Sequence, residues 1–254
     1  MSTQILYWPQ TQPVPPLNAK QVHVWVWNLE APPLPSHWEI LSEEEALRAR
    51  RFVFPRDRDR YVRAHATMRT LLGGYSGVSP ATLSFSANAY GKPEIKSGNT
   101  PRPVRFNLTH SDATAALAVS DSYDLGIDIE HVRPIEAAIA EDHFSTRELR
   151  TLRSLPSEQW LQGFYRCWTS KEALLKGEGM GLNLPLDGFD VEVHPKRPPA
   201  LLAVRPQAKI ASTWRLAELT PAQDILGTLA ILDAAETFED TSLRCFALSD
   251  SMHS

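Results

Sequence analysis

Cysteine is nearly absent from this 254-residue chain, which has only Cys167 and Cys245. Two distant thiols make no disulfide framework, and no Cys-x-x-Cys pair offers a zinc site. A reducing compartment is the simplest expectation. There is no run of about 18 apolar residues, so no membrane-spanning helix is expected. The opening segment MSTQILYWPQTQPVPP has neither a basic stretch nor an apolar one, so no leader is expected and the protein is expected to be cytoplasmic. Basic charge is not in excess: 26 Lys and Arg against 30 Asp and Glu leave a net charge of −4. That balance excludes a protein that coats nucleic acid. A Walker-type phosphate loop is also missing. The glycine-punctuated run 177–181 follows a helical pattern instead of opening one, and no Gly-Lys-Ser/Thr ends it.

What is present looks like an ordinary folded protein. Hydrophobic residues make up 43% and charged residues 22%, which excludes a disordered or fibrous chain. The length suits one large domain or two small ones of about 125 residues each. Charge is unevenly spread, with eight arginines between Arg48 and Arg69.

The proline-rich first 20 residues are expected to be irregular. The alternation in Val22 to Trp27 predicts a strand. Ser42 and Glu45 form a capping box for a helix that Pro55 should end. Asp57 should cap a second helix, stopped by Gly73-Gly74. Strands are expected at Leu83 to Phe85, Val104 to Leu108, Ala115 to Ser120 and Leu125 to Glu130, with Thr109 to Asp112 as a polar loop. The second half repeats this order. A helix precedes Phe144, Ser145 and Glu148 form another capping box, and a long helix from Ser157 to Lys176 ends at glycines. Strands follow at Phe189 to Val193, Trp214 to Glu218 and Leu226 to Leu232, the last two pairing with the first. The whole reads as α+β, a pseudo-duplication of halves 1–124 and 125–254.

Four segments could carry chemistry. In Gly126-Ile127-Asp128-Ile129-Glu130, strand alternation sends Ile127 and Ile129 into a core and puts Asp128 and Glu130 side by side. Such a pair is either solvated or holds a hard cation such as Mg²⁺. In Trp168 to Gly177, Glu172 and Lys176 are i,i+4 neighbours, a surface ion pair unless a ligand joins them. His110 lies between the hydroxyls of Thr109 and Ser111, where a phosphate could sit. The arginine cluster and Lys92, in Tyr90-Gly91-Lys92-Pro93, would suit phosphate monoesters.

In order and spacing, Asn-Leu-Thr-His-Ser (107–111), Gly-Ile-Asp-Ile-Glu (126–130) and Trp-Thr-Ser-Lys-Glu-Ala-Leu-Leu-Lys (168–176) resemble the motifs of Sfp-type 4'-phosphopantetheinyl transferases. Arg-Arg-Phe (50–52) and Tyr-Gly-Lys-Pro (90–93) also fit, and the resemblance covers roughly residues 40 to 195. It implies a pseudo-dimer of two α+β halves with the active site between them. The reaction implied is transfer of 4'-phosphopantetheine from coenzyme A to a serine of a carrier protein. Asp128, Glu130 and Glu172 match the family's metal ligands for Mg²⁺, or Mn²⁺. Lys176 matches a lysine on the coenzyme phosphates. Thr109 and His110 match the coenzyme-binding segment, with His110 near the 3'-phosphate. Lys92, Arg48 and Arg60 match basic positions at the adenosine bisphosphate end. Lys171 matches a motif lysine near the reacting phosphate, and Glu148 a candidate general base. Glu148 also sits at a capping-box position, so both roles stand here. If it is the base, Glu148→Gln should slow turnover with little loss of folding.

Two departures from the pattern are Thr109, where serine is frequent, and Glu45, where some relatives carry a base. Competing readings are another Mg²⁺-dependent nucleotide transferase or hydrolase, and a non-catalytic coenzyme A or carrier-docking protein. The presence of all three carboxylates and both lysines speaks against the last. A monomer acting on an acidic carrier protein is expected, with no nucleic-acid or membrane partner.

Overall fold

The computed structural model describes residues 4–96, 98, 100, 103–179, 185–205 and 213–249. Strand alternation builds its centre. One sheet has five strands in the order β1 (Ile5–Pro9), β12 (Leu243–Ser249), β2 (Val22–Asn28), β6 (Thr114–Ser120) and β5 (Arg105–Ser111). The other has three, β10 (Trp214–Ala222), β11 (Ile225–Leu232) and β7 (Leu125–His131). Val22, Val24, Ala116 and Ala118 of the first sheet pack against Leu125, Ile127, Ile129, Leu229 and Ile231 of the second. The alternate residues of β2, Trp25 and Trp27, face outward and are covered by Ala64, Met68 and Leu72 of α3 (Pro55–Ser76). On the far side, α6 (Ser157–Glu178) covers β7 and β11. The layers are therefore helix, sheet, sheet, helix.

The two halves repeat element by element. Each half has a capping-box helix, α2 (Glu43–Arg50) after Ser42 and α5 (Thr146–Ser154) after Ser145. Short helices α1 (Pro35–Glu39) and α4 (Ala138–His143) precede them. Next comes a 22-residue helix, α3 or α6, ending on a left-handed glycine, Gly77 at φ 69° or Gly179 at φ 66°. A small hairpin follows, β3 (Phe85–Ala87) with β4 (Pro93–Ile95), or β8 (Phe189–Val191) with β9 (Leu201–Val204). An antiparallel pair then joins β2 or β7, giving β5-β6-β2 and β10-β11-β7. This is the expected pseudo-dimer of α+β halves.

Several local expectations change. Pro55 opens α3 instead of ending α2, because proline at the first helical position lacks only an N–H that has no helical partner. Gly73 and Gly74 lie inside α3, where a Cβ would sit 2.8 Å from Val78 O and 2.6 Å from Val14 Cγ2 respectively. β5 runs on through Thr109, His110 and Ser111 because the Thr109 and Ser111 side chains find partners on β7. β10 and β11 pair with β7, while β8 pairs with β9. Of the glycines taken to end α6, Gly181 lies outside the described residues.

Both ends of the chain enter the first sheet. β12 inserts in parallel between β1 and β2. Phe246 stacks on Trp25 at 4.6 Å between ring centres, and Trp8 meets it edge-on at 5.5 Å. Residues 4–20 are therefore not wholly irregular, and segment 125–254 gives its last strand to the sheet of the first half.

A charged knot fixes α2 to α3. Glu45 Oε2 accepts from the Ser42 N–H at 2.9 Å and from Arg69 Nε at 2.6 Å, while His65 Nδ1 lies 3.2 Å from Oε1. Arg69 is 1% exposed and also donates to the carbonyls of Pro80 and Leu83. Burial alone would raise the Glu45 carboxyl, but His65, the Ser42 N–H and Arg69 override it and hold the pKa at about 2. Because the folded value lies below the usual one, the stabilisation is complete above about pH 4.5 and fades as pH falls towards 2. Glu45→Gln should therefore cost about 3 kcal/mol at pH 7. The gap to the parent should close on acidification, as measured by urea unfolding at pH 7 and pH 3.

Candidate active site

The site forms where α6 crosses β7. β7 has no side chain at the crossing: a Cβ on Gly126 would lie 2.1 Å from Ala173 O and 2.3 Å from Gly177 N. Backbone therefore meets backbone, and the next residue on that face of β7, Asp128, comes under Lys176. Lys176 Nζ donates to Asp128 Oδ1 at 2.6 Å and to Thr109 Oγ1 at 3.1 Å. Thr109 Oγ1 donates to the same Asp128 oxygen at 3.2 Å.

β5 is fastened to β7 by alternate side chains. Asn107 Oδ1 accepts from Ile127 N at 2.8 Å, and Ser111 Oγ donates to Glu130 Oε2 at 2.7 Å. The carboxylates thus lie at the seam between the halves. Asp128 is 4% exposed, and its Oδ2 is buried with no hydrogen-bond partner. Burial pushes its carboxyl up to about 7, with Glu130 and Glu172 adding to the rise and Lys176 opposing it. Burial and Glu130 likewise raise Glu172, again against Lys176. Three carboxylates here share one ammonium. Among the described residues, no three His, Cys, Asp or Glu side chains are drawn close enough together to hold a metal ion; Lys176 stands on the Oδ1 side of Asp128.

The other face of β5 looks into a cleft of about 600 Å³. His110 lines it, opposite Arg48, Tyr61, His65 and Lys96. Tyr61 and His65 stack at 4.0 Å, and the Arg48 guanidinium lies 5.7 Å from the Tyr61 ring centre. Burial lowers the His110 pKa, and the charges of Lys176 and His65 lower it further. His110 thus links the cleft electrostatically to the carboxylate seam.

Not every expected residue joins this cluster. Arg60 donates to Glu30 at 2.6 Å, although its charge still reaches His110. Lys92 donates to the carbonyls of Gly177 and Leu125. Glu148 and Lys171 face the core and pair with each other at 2.9 Å, each 1% exposed. Glu148 also accepts from Ser145 N and Val191 N, both at 2.8 Å. Lys171 donates to the carbonyls of Leu186 and Phe189 and lies 4.4 Å from the Phe189 ring centre. Conversely, sequence reasoning passed over His65 and Lys96, and took Tyr61 only as core. The one signal for His65 was its position four residues beyond Tyr61, on the same helix face.

Residues 124–230 match the sequence profile of the 4'-phosphopantetheinyl transferase superfamily, and residues 26–122 that of the 4'-phosphopantetheinyl transferase N-terminal region. The chain is 35% identical to the 4'-phosphopantetheinyl transferase HetI of Nostoc sp. over 226 residues, covering 86% of this chain and 92% of that protein. It is 36% identical to the 4'-phosphopantetheinyl transferase ffp of Bacillus subtilis over 61% of this chain and 67% of that protein. With Sfp of Bacillus subtilis the identity is 34%, over the same two shares. Because the similarity to HetI takes in both halves and the seam between them, the chain is an enzyme of the 4'-phosphopantetheinyl transferase superfamily.

Proposed function

We propose that this protein transfers the 4'-phosphopantetheine of coenzyme A to a serine of an apo carrier protein and releases adenosine 3',5'-bisphosphate. The observation that carries this reading is the buried, unpartnered Oδ2 of Asp128 at the seam, with a cleft on the other face of β5 where Arg48, Lys96 and His110 stand together. The first half, 1–124, supplies the cleft. The second, 125–254, supplies the carboxylates and α6.

The seam suits a hard divalent cation, since its carboxylates outnumber its ammonium and one buried oxygen lacks a partner. Asp128, Glu130 and Glu172 are the residues that would hold Mg²⁺, or Mn²⁺. Such an ion supplies neutralisation of the pyrophosphate charge and draws electrons from the reacting phosphorus. Lys176, already between Thr109 and Asp128, is placed to donate to a phosphate oxygen. Arg48 offsets the charge of the leaving bisphosphate from the cleft, and His110 is placed to donate a hydrogen bond to it.

Glu148 and Lys171 are assigned a structural role. The fold carries a second copy of their pair. Glu45 and Glu148 both occupy the third helical position of a capping box. Arg69 and Lys171 each lie fourteen residues beyond the first residue of their long helix. Each donates to two carbonyls of the following segment and lies over a phenylalanine, Phe85 or Phe189, that opens the small hairpin. Both Glu148 oxygens are taken, so the proton of the acceptor serine falls to a group at the seam.

Mixing the protein with coenzyme A, Mg²⁺ and an apo carrier should add one phosphopantetheine to the carrier, read by mass spectrometry, with no gain in excess EDTA. Cleavage of coenzyme A without carrier would support another nucleotide transferase or hydrolase, and binding without turnover a docking protein. Asp128→Asn should lower transfer by roughly a hundredfold or more, with the thermal midpoint maintained. His110→Ala should raise the KM for coenzyme A about tenfold and change kcat less. Glu148→Gln leaves the Lys171 charge buried and unpaired, so it should cost about 3 kcal/mol in urea unfolding. Turnover per folded molecule should stay near that of the parent, and a large fall would restore Glu148 to the mechanism.

A further inference from the structure

Lys92 is the cation of the Gly-Lys-Pro turn, but its ammonium serves protein carbonyls. The last four carbonyls of a helix have no partner within it. At the end of α6, Lys92 Nζ donates to Gly177 O at 2.7 Å and Asn88 Nδ2 donates to Gly179 O at 2.9 Å. The same Nζ donates at 3.0 Å to Leu125 O, at the first residue of β7. One side chain from the first half therefore ties together the strand that carries Asp128 and the helix that carries Lys176.

The turn is built to hold this position. Asn88 Oδ1 accepts from Lys92 N at 3.0 Å and Tyr90 N at 2.9 Å, and Asn88 N donates to Lys92 O at 2.9 Å. A Cβ on Gly179 would lie 2.6 Å from Asn88 Nδ2 and 2.9 Å from Lys92 Cδ, so turn and helix end are in close contact. A cation and an amide donor at a helix C-terminus also complement its dipole. If Lys92 left for a phosphate, it would strip the partner from two carbonyls. The lysine of this hairpin region that lines the cleft is Lys96.

We propose that Lys92, with Asn88, is a positioning residue for the transfer reaction. It holds β7 against the end of α6, and so sets the Asp128–Lys176 pair, instead of binding a coenzyme phosphate. This rests on the transferase reading above.

The test separates kcat from coenzyme binding. Lys92→Met should lower kcat roughly tenfold to a hundredfold, while the Kd for coenzyme A, by calorimetry, stays within about threefold. Asn88→Ala has lost no cation, yet should lower kcat in the same sense. Lys92→Arg should restore part of the loss. A Kd weakened about tenfold with kcat at saturation unchanged would make Lys92 a phosphate ligand and overturn the proposal. Unchanged kcat in both variants would overturn it too. If Lys92→Met does not fold, Asn88→Ala decides. If the parent transfers nothing, the functional reading fails on its own. Amide hydrogen exchange then tests the clamp: faster exchange in the last turn of α6 in Lys92→Met sustains it, and unchanged exchange removes it.

Discussion

α6 touches β7 through backbone atoms at Gly126 and Gly177, and that contact sets the geometry of the seam. A side chain at Gly126 would meet backbone, which has nowhere to move, and would lift the helix off the strand. The lift would fall on Lys176, one residue before Gly177, and on Asp128, two residues after Gly126. The ion pair at 2.6 Å forms because Gly126 lets strand and helix backbones approach; the missing side chain of Gly177 instead leaves room for the Trp214 ring. The cost of burying Asp128 is carried at the same point, where the Lys176 ammonium and the Thr109 hydroxyl offset it on one oxygen only.

The duplicated fold divides two kinds of work. Both halves spend a carboxylate on tying a capping-box helix to a long helix, half-buried Glu45 with Arg69 and fully buried Glu148 with Lys171. Those pairs lie off the seam and hold the frame. The candidate site lies where the halves differ. β5 turns Thr109 and Ser111 to the carboxylates and His110 to the cleft, so one strand joins the seam and the cleft through its two faces. Charge is divided less sharply: carboxylates gather at the seam, while the cleft sets Arg48, Arg69 and Lys96 beside Glu43, Glu44 and Glu45.

Much of this was legible in the chain. Periodicity of two placed Ile127 and Ile129 in the core and Asp128 and Glu130 on the other face, because strand geometry leaves no alternative. Both capping boxes and both long helices were readable, since caps and helix periodicity are local. What misled was also local. Pro55 was read as a stop when it is a start, and Thr109 to Ser111 as a loop because polarity suggests water when the partner strand is not in view. β12 could not be placed in the first sheet from sequence, because its partner Val22 lies more than 200 residues away and no local pattern encodes the pairing.

The residue types at the site were determined by the sequence: three carboxylates, two lysines, a histidine flanked by hydroxyls and a run of arginines, in an order that points to one polyanionic ligand. Which of them work together was decided only by the tertiary structure. Lys171 and Glu172 are neighbours in the chain, yet a helix turns about 100° per residue. One therefore enters the core beside Glu148 and the other joins the seam. Lys92 sits in a turn whose sequence suits a phosphate, yet its ammonium meets the carbonyls of Gly177 and Leu125. A side chain's chemistry belongs to the sequence, but its partner is set by whatever the fold brings within about 3 Å.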